Sequence, residues 1–211
     1  MADLFEWVEA LRPSRESMAA GAVVLHGNAL AFEDALLAAL QAVTAQAPFR
    51  HMVTPGGFPM SVSMTNCSAD RTGYRYDHVD PGSGLPWPAL PEVFRAVAAA
   101  AAAEAGYQKF VPDACLINRY EPGSRLSLHQ DKNEQQMANP IVSLSLGLPA
   151  RFQFGGVKRT DPVRSYALQH GDVAVWGGAS RLCYHGVLPL KDGVHDKLGR
   201  QRINLTFRVA L

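Results

Sequence analysis

Cysteine is scarce. The 211-residue chain has three, Cys67, Cys115 and Cys183, an odd number at wide spacing with no CxxC pair. That excludes a disulfide framework or a zinc knuckle as the basis of the fold, and a reducing compartment is expected. An excess of one charge is also missing: 20 basic residues meet 19 acidic ones, for a formal net charge of +1. A chain that coats nucleic acid through bulk charge is strongly basic, so any polyanion here must be held by a local patch. No 18-residue uncharged run of bulky apolar residues occurs, which argues against a membrane-spanning helix. The first residues, MADLFEWVEALRP, carry acids where a secretion signal carries bases. A cytoplasmic location and no membrane partner are therefore expected.

What is present is apolar surface: 47% of residues are hydrophobic, enough for a substantial core in one domain over residues 1–211. Residues 1–20 read as a weakly patterned lead-in and 21–25 as a short strand. Over residues 32–47, Phe32, Leu36, Leu37, Leu40 and Val43 fall near one helical face, and Pro48 stops the helix. Residues 50–90 are rich in Gly and Pro, as in TPGGFP and LPWPALP, and read as short strands and loops forming a lid. A second helix starts at Pro91 and ends before Gly106. Beyond residue 110 the period changes to two. The segments 113–120, 125–131, 141–148, 151–154, 164–169, 172–176, 184–188 and 202–209 are short and bounded by turns. Their spacing is that of a sandwich or barrel. The expected fold is α+β: a double-stranded β-helix (jelly-roll) core over 110–211, two N-terminal helices buttressing it, and a lid over 50–90.

In the stretch RLSLHQDKNE, His129 and Asp131 stand two apart at a strand end, so both side chains point to one side. Imidazole with carboxylate suits iron, manganese or zinc better than calcium. A third ligand must come from elsewhere, from His26, His51, His78, His170, His185 or His195. His185 stands out because it lies in an apolar strand, RLCYHGVLPL. His170 sits in a turn, QHGD, where a solvated side chain is expected. Two histidines and a carboxylate would form the facial triad of non-haem Fe(II) oxygenases. A zinc or manganese hydrolase could use the same three groups.

The closing strand adds a second signal. Arg202, Asn204, Thr206 and Arg208 share one face, and Ile203, Leu205, Phe207 and Val209 the other. Either the polar face meets solvent, or the arginines meet anions in a pocket, since unpaired buried charge is costly. The guanidinium fork suits a small dicarboxylate. Asn118 and Tyr120, again two apart, would add an amide and a phenol to that pocket.

The segments NRYEPGSRLSLHQDKNE, IVSLSLGLPARFQFGG, GDVAVWGGASRLCYHGV and RINLTFR, in this order, closely resemble the AlkB family of Fe(II)- and 2-oxoglutarate-dependent nucleic-acid dealkylating dioxygenases. APFRHMVTPGGFPMSVSMTNC resembles that family's nucleotide-recognition lid. The resemblance implies His129, Asp131 and His185 as iron ligands. It implies Asn118, Tyr120, Arg202, Asn204 and Arg208 around 2-oxoglutarate, with Arg202 on the distal carboxylate. It implies Tyr74, Tyr76, Asn133 and Arg159 near the substrate. The cofactors would be Fe(II), 2-oxoglutarate and dioxygen. The partner would be alkylated single-stranded DNA, with double-stranded DNA or RNA as further substrates, met by a monomer. The reaction would couple decarboxylation to succinate and CO2 with demethylation of bases such as 1-methyladenine and 3-methylcytosine, releasing formaldehyde. The alternatives are an oxygenase of the same family acting on RNA, protein or a small molecule, or a non-catalytic nucleic-acid-binding module. Two departures bear on the base: Asn133 stands where bacterial members tend to carry an acid, and the lid segment NCSADRTGYRY is shorter and lacks tryptophan.

Overall fold

The computed structural model describes residues 13–210 apart from 54–56, 69, 73, 74, 81, 133 and 135, with backbone alone for Asp70–Thr72 and Arg75–Asp77. The strands in chain order are β1 (Arg15–Ala19), β2 (Ala22–Leu25), β3 (Arg50–Val53), β4 (Pro59–Cys67), β5 (Asp70–Thr72), β6 (Arg75–Asp77), β7 (Ala114–Tyr120) and β8 (Leu126–His129). They continue as β9 (Ile141–Gly147), β10 (Ala150–Phe154), β11 (Arg164–Leu168), β12 (Val173–Trp176), β13 (His185–Val187) and β14 (Arg202–Arg208). Two helices, α1 (Glu33–Gln46) and α2 (Glu92–Glu104), precede β7.

The strands form a large antiparallel sheet, ordered β1-β2-β12-β9-β14-β7-β4-β3, and a smaller one, ordered β11-β10-β13-β8. All eight strands read from the period-two region are present, and the core is the expected jelly roll with two buttressing helices. The lead-in reads as weakly patterned, yet it contains β1. This edge strand is half exposed and shows no clean alternation, so its pairing to β2 had no local signature.

Alternation explains the layering. Ile203, Leu205 and Phe207 of β14 pack with Ile117 of β7 and Val142 and Leu144 of β9 against the helices. From α1 come Leu36, Leu40 and Val43, and from α2 Phe94, Val97, Ala98, Ala101 and Ala102. Phe94 meets Phe207 edge-on at 6.1 Å. Small side chains on α2 let it lie close to the sheet, and area burial of this kind dominates folding free energy. The opposite face of the large sheet meets the small sheet through Val24, Ala174, Trp176, Phe152, Phe154 and Leu168. Within the Gly- and Pro-rich stretch, β4 is a nine-residue strand hydrogen-bonded along β7, and its second half is buried.

The placement of the polar face of β14 follows from this layering. Arg202, Asn204, Thr206 and Arg208 turn away from the helices, into the gap between the sheets. Register places Arg202 beside Tyr120 and Asn204 beside Asn118 on β7.

Candidate active site

β8 and β13 pair with His129 directly opposite His185, and their rings lie 4.4 Å apart. Close approach of the two strands needs Gly186, because a Cβ there would sit 2.7 Å from Leu126 O. Each histidine has Nδ1 at a main-chain carbonyl, Ser127 O at 2.8 Å and Cys183 O at 3.1 Å. A carbonyl only accepts, so Nδ1 carries the proton and, in the neutral ring, Nε2 keeps a free lone pair. Those Nε2 atoms are 4.0 Å and 3.8 Å from the Asp131 carboxylate oxygens. The three potential ligand atoms lie within 4.8 Å of one another.

The protonation states suit a metal. Burial pushes the His185 imidazole down to about 4, only partly offset by Asp131. Burial alone would raise Asp131, but Arg208, His185 and His129 hold its carboxyl well below the usual range. At neutral pH the site presents an anionic carboxylate and a neutral His185, the forms in which these groups ligate.

The cationic end lies in the same cavity, a narrow space of about 40 Å³ lined by Tyr120, Trp176, His185, Arg202 and Asn204 among others. Arg202 is 1% exposed. Its Nη2 donates to Ser145 Oγ at 2.9 Å, and its guanidinium lies 5.0 Å from the Tyr120 ring centre. Among the described residues its Nε and Nη1 meet no hydrogen-bond geometry, and neither does Asn118 Oδ1, although Tyr120 lies close enough to interact with the guanidinium. Asn204 is held by Ser143 Oγ and Leu144 O, and accepts from Thr206. The solvent-facing reading of the β14 polar face is therefore excluded. A buried guanidinium with no carboxylate beside it among the described residues calls for an anionic ligand.

The sequence pattern of the 2OG-Fe(II) oxygenase superfamily matches residues 21–208. The chain is 54% identical to the alpha-ketoglutarate-dependent dioxygenase AlkB of Escherichia coli K12, over all of this chain and 98% of that one. The chain belongs to the AlkB family. It is an Fe(II)- and 2-oxoglutarate-dependent dioxygenase, so iron, 2-oxoglutarate and dioxygen are its cofactors. AlkB of Salmonella typhimurium is 56% identical over 94% of each chain. The solved structure of OsALKBH1 superposes with a TM-score of 0.82 at 27% identity, covering 92% of this chain and 99% of that one. The residues of this AlkB-family site fit the cofactors. Two imidazoles and one carboxylate match the donor set that ferrous iron takes, and the buried guanidinium of Arg202 suits a carboxylate.

A second cavity of about 230 Å³ opens beside the triad, lined by Met52, Met60, Met64, Leu116, Leu126 and Lys132 together with site residues. The methionines come from β3 and β4, which sequence patterning did not connect to the site. Arg159 is exposed, donates to Leu128 O at 2.9 Å and lies 5.7 Å from the Tyr184 ring centre, which puts it next to the His129 strand. Tyr74 and Asn133 lie outside the described residues, and Tyr76 is described by backbone only, in β6. Trp176 packs 4.8 Å from His185, as core beside the site. The solvated reading of His170 is corrected: its side chain is 14% exposed, Nδ1 accepts the Gly147 N–H, and the ring stacks on His195 at 4.4 Å. Sequence reasoning missed two buried charges, Glu134 and Arg181. Neither has a partner at a fixed spacing, so no pattern could announce them.

Proposed function

We propose that this chain removes N-methyl groups from 1-methyladenine and 3-methylcytosine in single-stranded or flipped-out DNA, and in RNA, acting as a cytoplasmic monomer. The support is full-length similarity to enzymes named AlkB, together with partial similarity to proteins named as nucleic-acid demethylases. One of these is the DNA N(6)-methyladenine demethylase ALKBH1D of Arabidopsis thaliana, 38% identical over 46% of this chain and 24% of that one. Among the described residues no helix is long and apolar enough to cross a membrane. The observation that carries the reading is the pair of cavities meeting at the triad. One is narrow and cationic, and the other is wider with apolar walls.

In this reading His129, Asp131 and His185 hold Fe(II). When bound, iron with 2-oxoglutarate and dioxygen supplies an oxidation that couples decarboxylation of the cosubstrate to hydroxylation of an N-methyl carbon. The residues do the rest. Arg202 neutralises the distal carboxylate of 2-oxoglutarate, with Tyr120, Asn118 and Asn204 shaping the slot around it. Arg208, whose Nη2 donates to Asp131 at 2.8 Å, orients that carboxylate and borders the metal-binding end of the cosubstrate. Met60, Met64, Leu116 and Leu126 keep water from the wall where the alkylated base enters. Exposed Lys132, Lys158 and Arg159 border the opening and meet phosphates. A stacked base cannot reach the triad, which is why the substrate is unpaired or flipped.

Mass spectrometry of short oligonucleotides bearing 1-methyladenine, 3-methylcytosine or no lesion tests this, with Fe(II), ascorbate and 2-oxoglutarate present. The expected result is loss of one methylene unit from the lesion-bearing strands alone. Succinate release without any change in either strand would point instead to a protein or small-molecule substrate. Because Asn133 and the tryptophan-free lid touch base selection, the two lesions are compared side by side.

A further inference from the structure

Arg181 sits four residues before His185, just after the short 3-10 helix Gly178–Ser180. It is 4% exposed, and its guanidinium uses all of its edges. Nε donates to Asn139 O at 2.9 Å, Nη1 to Asp131 O at 2.6 Å and Nη2 to Glu134 Oε2 at 3.0 Å. All three acceptors belong to the segment that follows β8. One is the main-chain carbonyl of Asp131 itself. Glu134 turns its other oxygen to Arg208 Nε at 3.2 Å, and Arg208 Nη2 reaches the Asp131 carboxylate at 2.8 Å. Four charges thus alternate in sign, Arg181, Glu134, Arg208 and Asp131, and the circuit closes on the Asp131 backbone.

The described residues between β8 and β9 form no helix or strand. A carboxylate on such a segment has no ladder to fix it, so its position depends on side-chain partners. We propose that Arg181 is a positioning residue for Asp131. It clasps the Asp131 segment to the segment that leads into His185, and through Glu134 it aligns the Arg208 guanidinium that orients the Asp131 carboxylate. The proposal rests on reading His129, Asp131 and His185 as the metal ligands. Partners of this kind set both the orientation and the affinity of a metal site. Lysine is no substitute, because one ammonium cannot span three acceptors that a planar fork matches.

Mn(II) binding to the full-length protein is the test, read by electron paramagnetic resonance, on wild type, Arg181→Met, Arg181→Lys and Asp131→Ala. Circular dichroism verifies folding of each. Wild type binds one Mn(II), and Asp131→Ala does not. Both Arg181 variants are expected to bind about 10- to 100-fold more weakly. Their anaerobic Fe(II)–2-oxoglutarate charge-transfer band should also be shifted, a signature that loss of general stability would not produce. If Arg181→Met does not fold, Arg181→Lys decides. Affinity within about threefold of wild type in a folded variant, with an unshifted band, overturns the proposal, since outer partners normally cost tenfold or more. Absence of binding by wild type, or binding by Asp131→Ala, overturns the ligand reading and this proposal with it.

Discussion

Arg202 is a charge held where charge is costly. It is 1% exposed, donates to the Ser145 hydroxyl, and burial pushes its guanidinium pKa below the ordinary value against the opposing effect of Tyr120. Such a residue weakens the ligand-free fold and strengthens the liganded one. Arg202→Met should therefore leave the unfolding midpoint of the cofactor-free protein unchanged or raised. It should also remove charge-assisted hydrogen bonds to the cosubstrate of about 2–3 kcal/mol, a rise of roughly 30- to 150-fold in KM for 2-oxoglutarate. Succinate release against 2-oxoglutarate concentration measures the second effect, and differential scanning fluorimetry the first. A fall in midpoint with an unchanged KM would mean that Arg202 is a structural residue. Asp131 and His185 show the complementary case, in which burial and neighbouring charges set the ligating protonation states before any metal arrives.

At the scale of elements, the connection between β6 and α2 is pinned to β3 by one side chain. Asp80 accepts two hydrogen bonds from Arg50, each at 2.6 Å, and also bonds Gly82 N and Ser83 Oγ. The Arg50 hydrogen bonds hold the Asp80 carboxyl well below its ordinary value of 3.8, against the opposing effect of burial. Because the folded pKa is depressed, the stabilisation is present above the unfolded value and is lost as pH falls. The Arg50 side chain is 41% exposed, so solvent screens the pair and the net effect is about 1 kcal/mol. Asp80→Asn should lower the thermal midpoint by about 2–4 °C at pH 7. That difference from wild type should shrink in melts taken below pH 4. A difference that stays constant down to pH 3 would show that the clasp is not ionic. The same pinning keeps β3 and β4, and so the Met52, Met60 and Met64 wall, beside the metal site.

At the scale of the whole molecule, the candidate site joins parts that are distant in sequence. The cavity draws on β7, β8, β13 and β14, and Asp131 follows β8, so ligands should stabilise the entire domain. Mn(II) alone at about 100 times its dissociation constant should add about 2.7 kcal/mol. In a chain of this size that raises the midpoint by roughly 5–10 °C. A chelator should reverse the gain, and Asp131→Ala should abolish it. An Asp131→Ala protein that gained as much as wild type would place the metal elsewhere.

Much of this was legible in the residues themselves. Alternation along β14 sorts Ile203, Leu205 and Phe207 from Arg202, Asn204 and Arg208, because a strand's faces have a period of two and one face must leave water. The two-residue spacing of His129 and Asp131 points to the same geometry, but β8 ends at His129, so side-chain partners such as Arg208 place the Asp131 carboxylate. Whether the arginine face met solvent or a pocket, and which histidine lay beside His129 and Asp131, depended on which strands pair, and these pairing partners are far apart in sequence. The edge strand β1 was invisible because its half-exposed residues do not alternate; the methionine wall and the Glu134–Arg181 circuit were invisible because their partners are distant in sequence. Each owes its place to contacts that close only when the two sheets stack, and the free energy of a buried charge is decided by what surrounds it there.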